Sequence, residues 1–127
     1  MAFHLFFRWA LEGKPIEVYG DGKQSRDFTH VSDIVEANWL AFEKASSGEV
    51  FNIGGGSRIT LNEVIEIIKE MTGVNFEVRY KDVQKGDVRH TSADMTKAKE
   101  VLGYDPKISV EEGLRREYEW IKDFMRR

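Results

Sequence analysis

Asp33, Thr60 and Ser109 are each followed three positions later by a glutamate: Glu36, Glu63 and Glu112. In such a box the first side chain accepts an orphan amide of the opening turn while the glutamate reaches back, so each pair marks a helix start. Behind Thr60, the residues Leu61, Val64, Ile65, Ile68 and Met71 form one apolar stripe that stops at Gly73; behind Ser109, Leu114, Tyr118, Ile121 and Met125 do the same. The first box predicts a helix from Asp33 to about Lys44. Phe3, Phe6, Phe7 and Ala10 predict another over residues 2–12, stopped by Gly13 and Pro15, and a further helix capped near Asp94 closes at Val101-Leu102-Gly103. Only short stretches remain for strands. These are 16–19, 26–31 (with Arg26, Phe28 and His30 on one face), 50–53 and 76–80, and a polar loop covers 81–91. Helices and strands alternate without repeats, low-complexity segments or a linker. The expectation is one mixed α/β (α+β) domain over residues 1–127.

Composition narrows the function. With 41% hydrophobic residues and 2 prolines the chain is too apolar for disorder. Nineteen basic residues against 22 acidic ones give a net charge of −3, which supplies no global field for a nucleic acid partner. The absence of cysteine excludes disulfides, thiolate catalysis and cysteine-ligated metals. No apolar run reaches the roughly 18 residues of a membrane span, and the first residues lack the pattern of a signal peptide, so a cytoplasmic protein without membrane partners is expected. No Ser, Thr, Asp or Asn caps the first helix, which suggests a chain that continues upstream. Its Phe3, Phe6, Phe7 and Trp9 outnumber the partners a small domain offers, which predicts self-association into a homo-oligomer.

Several motifs are decoys. Gly54-Gly55-Gly56 follows a strand, but Ile59 fills the last position of a dinucleotide fingerprint, which favours an ordinary strand-end turn. No phosphate loop is present, because Gly13-Lys14 leads into Pro15. His4, His30 and His90 lie too far apart in sequence to suggest a metal site. Tyr19 to Lys23 has the Tyr-x-x-x-Lys spacing of a proton-transfer pair but runs through a Gly-Asp-Gly turn; Tyr118 to Lys122 has it on a helix, without a cofactor module upstream.

The segment from Tyr19 to Asp33 remains. A tyrosine at a strand end can stack on a nucleobase, and Arg26 offers a planar fork of donors suited to a diphosphate. The other reading pairs Arg26 with Asp21 or Asp27 and lays Tyr19 over the core edge.

Residues 18–33 closely resemble a block of the extended short-chain dehydrogenase family of NAD-dependent nucleotide-sugar epimerases and dehydratases. Further matching blocks follow in order: Phe51-Asn52-Ile53-Gly54-Gly55-Gly56, Gly86-Asp87-Val88, Asp94 through Lys97-Ala98 to Leu102-Gly103-Tyr104 with Pro106, and Glu111-Glu112-Gly113-Leu114. Within the family the chain is most similar to UDP-glucose 4-epimerases. The resemblance is to the C-terminal portion of such enzymes and implies helices packed on short strands, without the N-terminal dinucleotide-binding Rossmann half. It places Tyr19 against uracil, Arg26 on the diphosphate and Asp87 on the ribose hydroxyls. Relatives often carry arginine where this chain has Gln84, and Arg89 is the residue expected to make up that charge. Asn52 and His30 match family positions with structural roles. No catalytic residue, cofactor-binding residue or metal ligand is expected in this chain, although NAD serves the full-length family.

The implied function is to bind the nucleotide diphosphate of a UDP-sugar as the substrate domain of a UDP-glucose 4-epimerase-like enzyme, inactive alone. The alternative is a structural or interaction module, from a truncated epimerase or dehydratase, that retains no ligand. A fragment, a truncated reading frame and a free-standing domain all fit, and a separate N-terminal half is a candidate partner.

Overall fold

The computed structural model describes residues 2–126. In chain order they form α1 (Ala2–Leu11), β1 (Ile16–Tyr19), β2 (Ser25–Arg26), α2 (Val31–Lys44), β3 (Ile59–Thr60), α3 (Leu61–Thr72), β4 (Val78–Lys81), a π-helical segment (Ala98–Leu102) and α4 (Val110–Met125). Two of the three boxes cap helices. The Thr60 hydroxyl accepts the Glu63 amide at 3.2 Å while the Glu63 carboxylate accepts the Thr60 amide at 2.8 Å, and Ser109 accepts the Glu112 amide at 3.1 Å. Gly73 and Gly103 end their helical segments in the left-handed conformation, as the sequence predicts.

The first box, at Asp33, does not cap its helix. α2 opens earlier, at Val31, and His30 is its cap, with Nδ1 accepting the Ser32 amide at 3.1 Å. Asp33 is buried instead. Its two carboxylate oxygens accept the amides of Lys107 and Ile108 at 3.0 and 3.2 Å, tying α2 to the entry of α4. A long-range demand for a carboxylate outweighs the local capping preference.

β1 and β4 pair in parallel, Ile16 opposite Val78 through Tyr19 opposite Lys81, while β2 and β3 pair antiparallel. The main core lies where α1, α3 and α4 close over β1. It joins Phe6, Phe7, Ile16, Val18, Val64, Ile65, Ile68, Leu114 and Ile121. A second core gathers Ala37, Met95, Ala98, Leu102 and Tyr104, with Phe51 and Ile53 packed against it. The buried Tyr104 hydroxyl donates to the Gly54 carbonyl at 2.8 Å; burial, reinforced by nearby carboxylates of which Asp33 acts most strongly, pushes its pKa up to about 12.

Three further expectations change. The strand expected over 26–31 is only Ser25–Arg26, because Asp27 turns to accept the Gly55 amide at 2.8 Å and His30 is already a helix cap. Residues 50–53 form no strand among the described residues, although Phe51 and Ile53 are half-buried on either side of the exposed Asn52. Two of the four α1 aromatics meet partners on other segments: Phe7 stacks on Tyr118 with ring centroids 5.5 Å apart, and Phe3 meets Phe28 at 4.4 Å. An uncovered apolar stripe lies on α2, and Trp120 and Phe124 of α4 are exposed as well. Val31, Val35, Trp39 and Phe42 recur at helical spacing, and Phe42 is 82% exposed.

Because charged acceptors of backbone amides contribute about 1.5–3 kcal/mol each, Asp33→Ala is expected to destabilise the chain by about 2–4 kcal/mol. Asp33→Asn, which keeps one acceptor, should cost about half as much. The urea midpoint at unchanged slope measures both.

Candidate functional site

The site is built from the two segments that leave the C-terminal ends of β1 and β4. After Tyr19 the chain turns through Gly20, Asp21 and Gly22. A side chain at Gly22 is strained: its φ is 73°, and a Cβ there would lie 1.8 Å from the Asn62 Oδ1, so the Asn62 side chain would have to move. Gln24 is buried and donates from Nε2 to the Tyr19 carbonyl at 2.6 Å, which fixes where β1 ends. Sequence reasoning missed this glutamine; its signal was a long polar side chain just after a glycine turn.

The other segment, residues 82–91, is held to the first by backbone and side chains. The Ser25 amide donates to the Arg89 carbonyl at 3.0 Å, the Thr91 amide donates to the Ser25 carbonyl at 3.2 Å, and the Ser25 hydroxyl meets His90 Nδ1 at 2.7 Å. Two ion pairs reinforce the seam. Arg26 Nη2 donates to Asp87 Oδ1 at 2.5 Å, and Arg89 grips both oxygens of Asp21 at 3.0 and 2.9 Å. Arg26 thus pairs with neither Asp21 nor Asp27. The Asp21 carboxyl is held below the ordinary aspartate range, first by the Lys23 amide and then by Arg89. The Asp21 carboxylate is therefore fully formed above that range, and its tie to Arg89 is lost as pH falls through the lowered value.

Tyr19, Arg26 and Asp87 line one cleft of about 520 Å³, together with Gln84, Trp9 and Phe28. That size suits a small-molecule ligand, and an apolar wall with a few polar groups is the usual composition of such sites. Arg26 gives Nη1 to the carbonyls of Ser25 and Arg89 and one hydrogen of Nη2 to Asp87, so its Nε–H and a second Nη2–H remain. The other oxygen of Asp87 remains as an acceptor. Arg89 is not in this cleft; it lines a shallower hollow with Gly20, Asp21 and Tyr80.

The remaining motifs have local explanations. Lys122 sits over the Tyr118 ring at 4.4 Å, a cation–π contact rather than a proton relay. His4 meets Glu117, His30 caps α2 and His90 meets Ser25, and no group of His, Asp or Glu among the described residues converges as a metal site would. The Gly54-Gly55 turn is not arranged to hold a dinucleotide pyrophosphate. The Gly54 amide is engaged by the Met95 sulfur at 3.2 Å and the Gly55 amide by Asp27, so neither is left for a pyrophosphate. No helix among the described residues is long and apolar enough to cross a membrane.

A family model described as GDP-mannose 4,6 dehydratase matches residues 4–117. The UDP-glucuronate 4-epimerase of Thermodesulfobacterium geofontis is 41% identical over 124 residues, which are 97% of this chain and 38% of that protein. The crystal structure of the UDP-glucose 4-epimerase of Thermotoga maritima with UDP-glucose superposes with a TM-score of 0.92 at 43% identity, covering 98% of this chain and 40% of that one. The UDP-glucuronic acid 4-epimerase of Bacillus cereus, in complex with UDP-glucuronic acid and NAD, superposes with a TM-score of 0.93 at 35% identity, with the same coverage. The chain thus spans about 40% of the length of these solved relatives. It belongs to the nucleotide-sugar epimerase and dehydratase family of extended short-chain dehydrogenases and corresponds to the C-terminal part of those enzymes.

Proposed function

We propose that this chain binds the nucleoside diphosphate of a UDP-sugar, as the substrate-anchoring part of a UDP-glucose 4-epimerase-like enzyme. The observation that supports this reading most is the placement of Tyr19, Arg26 and Asp87 around one cleft, although they come from different segments. Each has a role that its chemistry suits. The half-exposed Tyr19 ring gives the uracil a face to stack on. The remaining Arg26 donors take diphosphate oxygens, and the second Asp87 oxygen accepts from a ribose hydroxyl. Arg89 acts through Asp21, which it holds beside the cleft. Anchoring a substrate by its remote nucleotide positions the sugar without contacting it, and this is how distant binding energy serves a reaction elsewhere.

Calorimetry with UDP tests the reading. Wild type should bind UDP, and Arg26→Ala should weaken it by about 1.5–3 kcal/mol, or roughly tenfold to a hundredfold. Tyr19→Ala should cost about 1–3 kcal/mol by the stacking scale, at its lower end because the ring is open to water. Both variants should keep the wild-type circular dichroism spectrum. Equal binding by wild type and Arg26→Ala, or no binding at millimolar UDP, would favour the ligand-free interaction module.

The stripe on α2 supports a partner as well. Val35, Trp39 and Phe42 leave a contiguous apolar surface in water, and the largely apolar segment 50–53 pairs with no strand among the described residues. Both features suit the edge and face of a larger α/β layer, in which a buried parallel strand has neighbours and a helix covers it. The occupant proposed is the cofactor-binding portion of a family enzyme. Coexpression with the N-terminal part of the Thermotoga maritima epimerase should give a complex that Phe42→Glu abolishes without unfolding the chain. A complex of two copies of this chain alone would assign the face to a homo-oligomer instead, and a monomer in both experiments would remove the partner reading.

A further inference from the structure

The turn that carries Asp87 has a lysine, Lys85, at its corner. Residues 84–87 close through the Asp87 amide, which donates to the Gln84 carbonyl at 3.1 Å. Gly86 stands third in that turn with φ 91°, the conformation a type II turn requires at this position and one that glycine adopts without strain. The register is therefore set. Gln84 and Asp87 form the base of the turn and Lys85 stands at its corner. Because Asp87 is the partner of Arg26, the corner is carried to the same place, and Lys85 lines the cleft with Tyr19, Arg26 and Asp87.

Other charges at this cleft are matched. Arg26 pairs with Asp87, and Glu17 pairs with Lys81 at 2.7 Å. Arg89 pairs with Asp21 and faces the neighbouring hollow. Gln84 is neutral. Lys85 is exposed and has no ion-pair partner among the described residues, so an entering anion meets its charge uncompensated. A compact ammonium on a four-carbon stem can follow a phosphate without a preset geometry.

We infer that Lys85 is the second diphosphate-binding cation of this cleft, supplying the charge that the adjacent Gln84 does not, and that Arg89 is a positioning residue for the Asp21 turn. The inference rests on the UDP-binding reading above.

NMR titration of the chain with UDP and with uridine, on wild type, Lys85→Gln, Lys85→Arg and Arg89→Gln, tests it. Lys85→Gln should weaken UDP about tenfold, the scale of one charge-assisted contact, while leaving uridine unchanged. Lys85→Arg should restore most of the loss, and Arg89→Gln should cost less than Lys85→Gln. Added salt should weaken UDP less steeply in Lys85→Gln than in wild type, since one screened contact is gone. If UDP binds wild type and Lys85→Gln equally, or if Arg89→Gln costs more, the assignment to Lys85 fails while the UDP reading stands. If wild type does not bind UDP, both fail.

Discussion

Parallel pairing of β1 with β4 is the constraint from which the site follows. Parallel strands cannot be joined by a tight turn, so the chain between them must cross over, and here the crossover carries β2, α2, β3 and α3. Parallel strands also end at the same edge. The turn after Tyr19 and the loop after Lys81 therefore emerge side by side, and Gln24, Arg26, Gln84, Lys85 and Asp87 reach the cleft from one exit or the other. Ile16 and Val18 anchor the pair by facing the core almost fully buried, with α1, α3 and α4 packed over them. Ligands of open α/β sheets collect at the carboxyl ends of strands for this reason.

The ion pairs across those two exits act by placement more than by strength. Exposed pairs contribute little to stability, commonly under about 1 kcal/mol, and the Arg89–Asp21 pair is half exposed on both sides. Arg26–Asp87 is better covered, with side chains 25% and 31% exposed. What the pairs accomplish is orientation. Asp87 turns one edge of the Arg26 guanidinium to itself and leaves the other donors, while Arg89, taken up by Asp21, keeps out of the cleft. For the UDP-sugar proposed as ligand, groups already held in position would lower the ordering cost of binding.

α2 shows how one helix serves two unlike environments. One side sends Asp33 to the entry of α4 and Ala37 into the second core; the other shows Val35, Trp39 and Phe42 to water. The buried side secures the helix to this domain, so the exposed stripe is presented on a fixed surface. Residues 50–53 behave consistently with this: their apolar alternation reads as a strand, yet a strand needs a neighbour to hydrogen-bond with.

The amino-acid sequence by itself determined what depends on near neighbours along the chain. The Thr60 box, the Ser109 cap, the glycine exits at Gly73 and Gly103 and the extent of β1 were legible because each is decided within a few residues by a side chain and the backbone beside it. The resemblance of residues 18–33 and 86–88 to a known family also brought Tyr19, Arg26 and Asp87 together as candidates before their proximity was visible. Only the tertiary structure decided that Asp33 serves Lys107 and Ile108 rather than its own helix, that Arg89 pairs with Asp21, that β2 stops at Arg26 and that Lys85 reaches the cleft. Each of those outcomes is a competition for one side chain or backbone group between a local partner and a distant one. Sequence spacing ranks the local partners; the distant ones come within reach only once β1 has paired with β4 and the crossover has folded back.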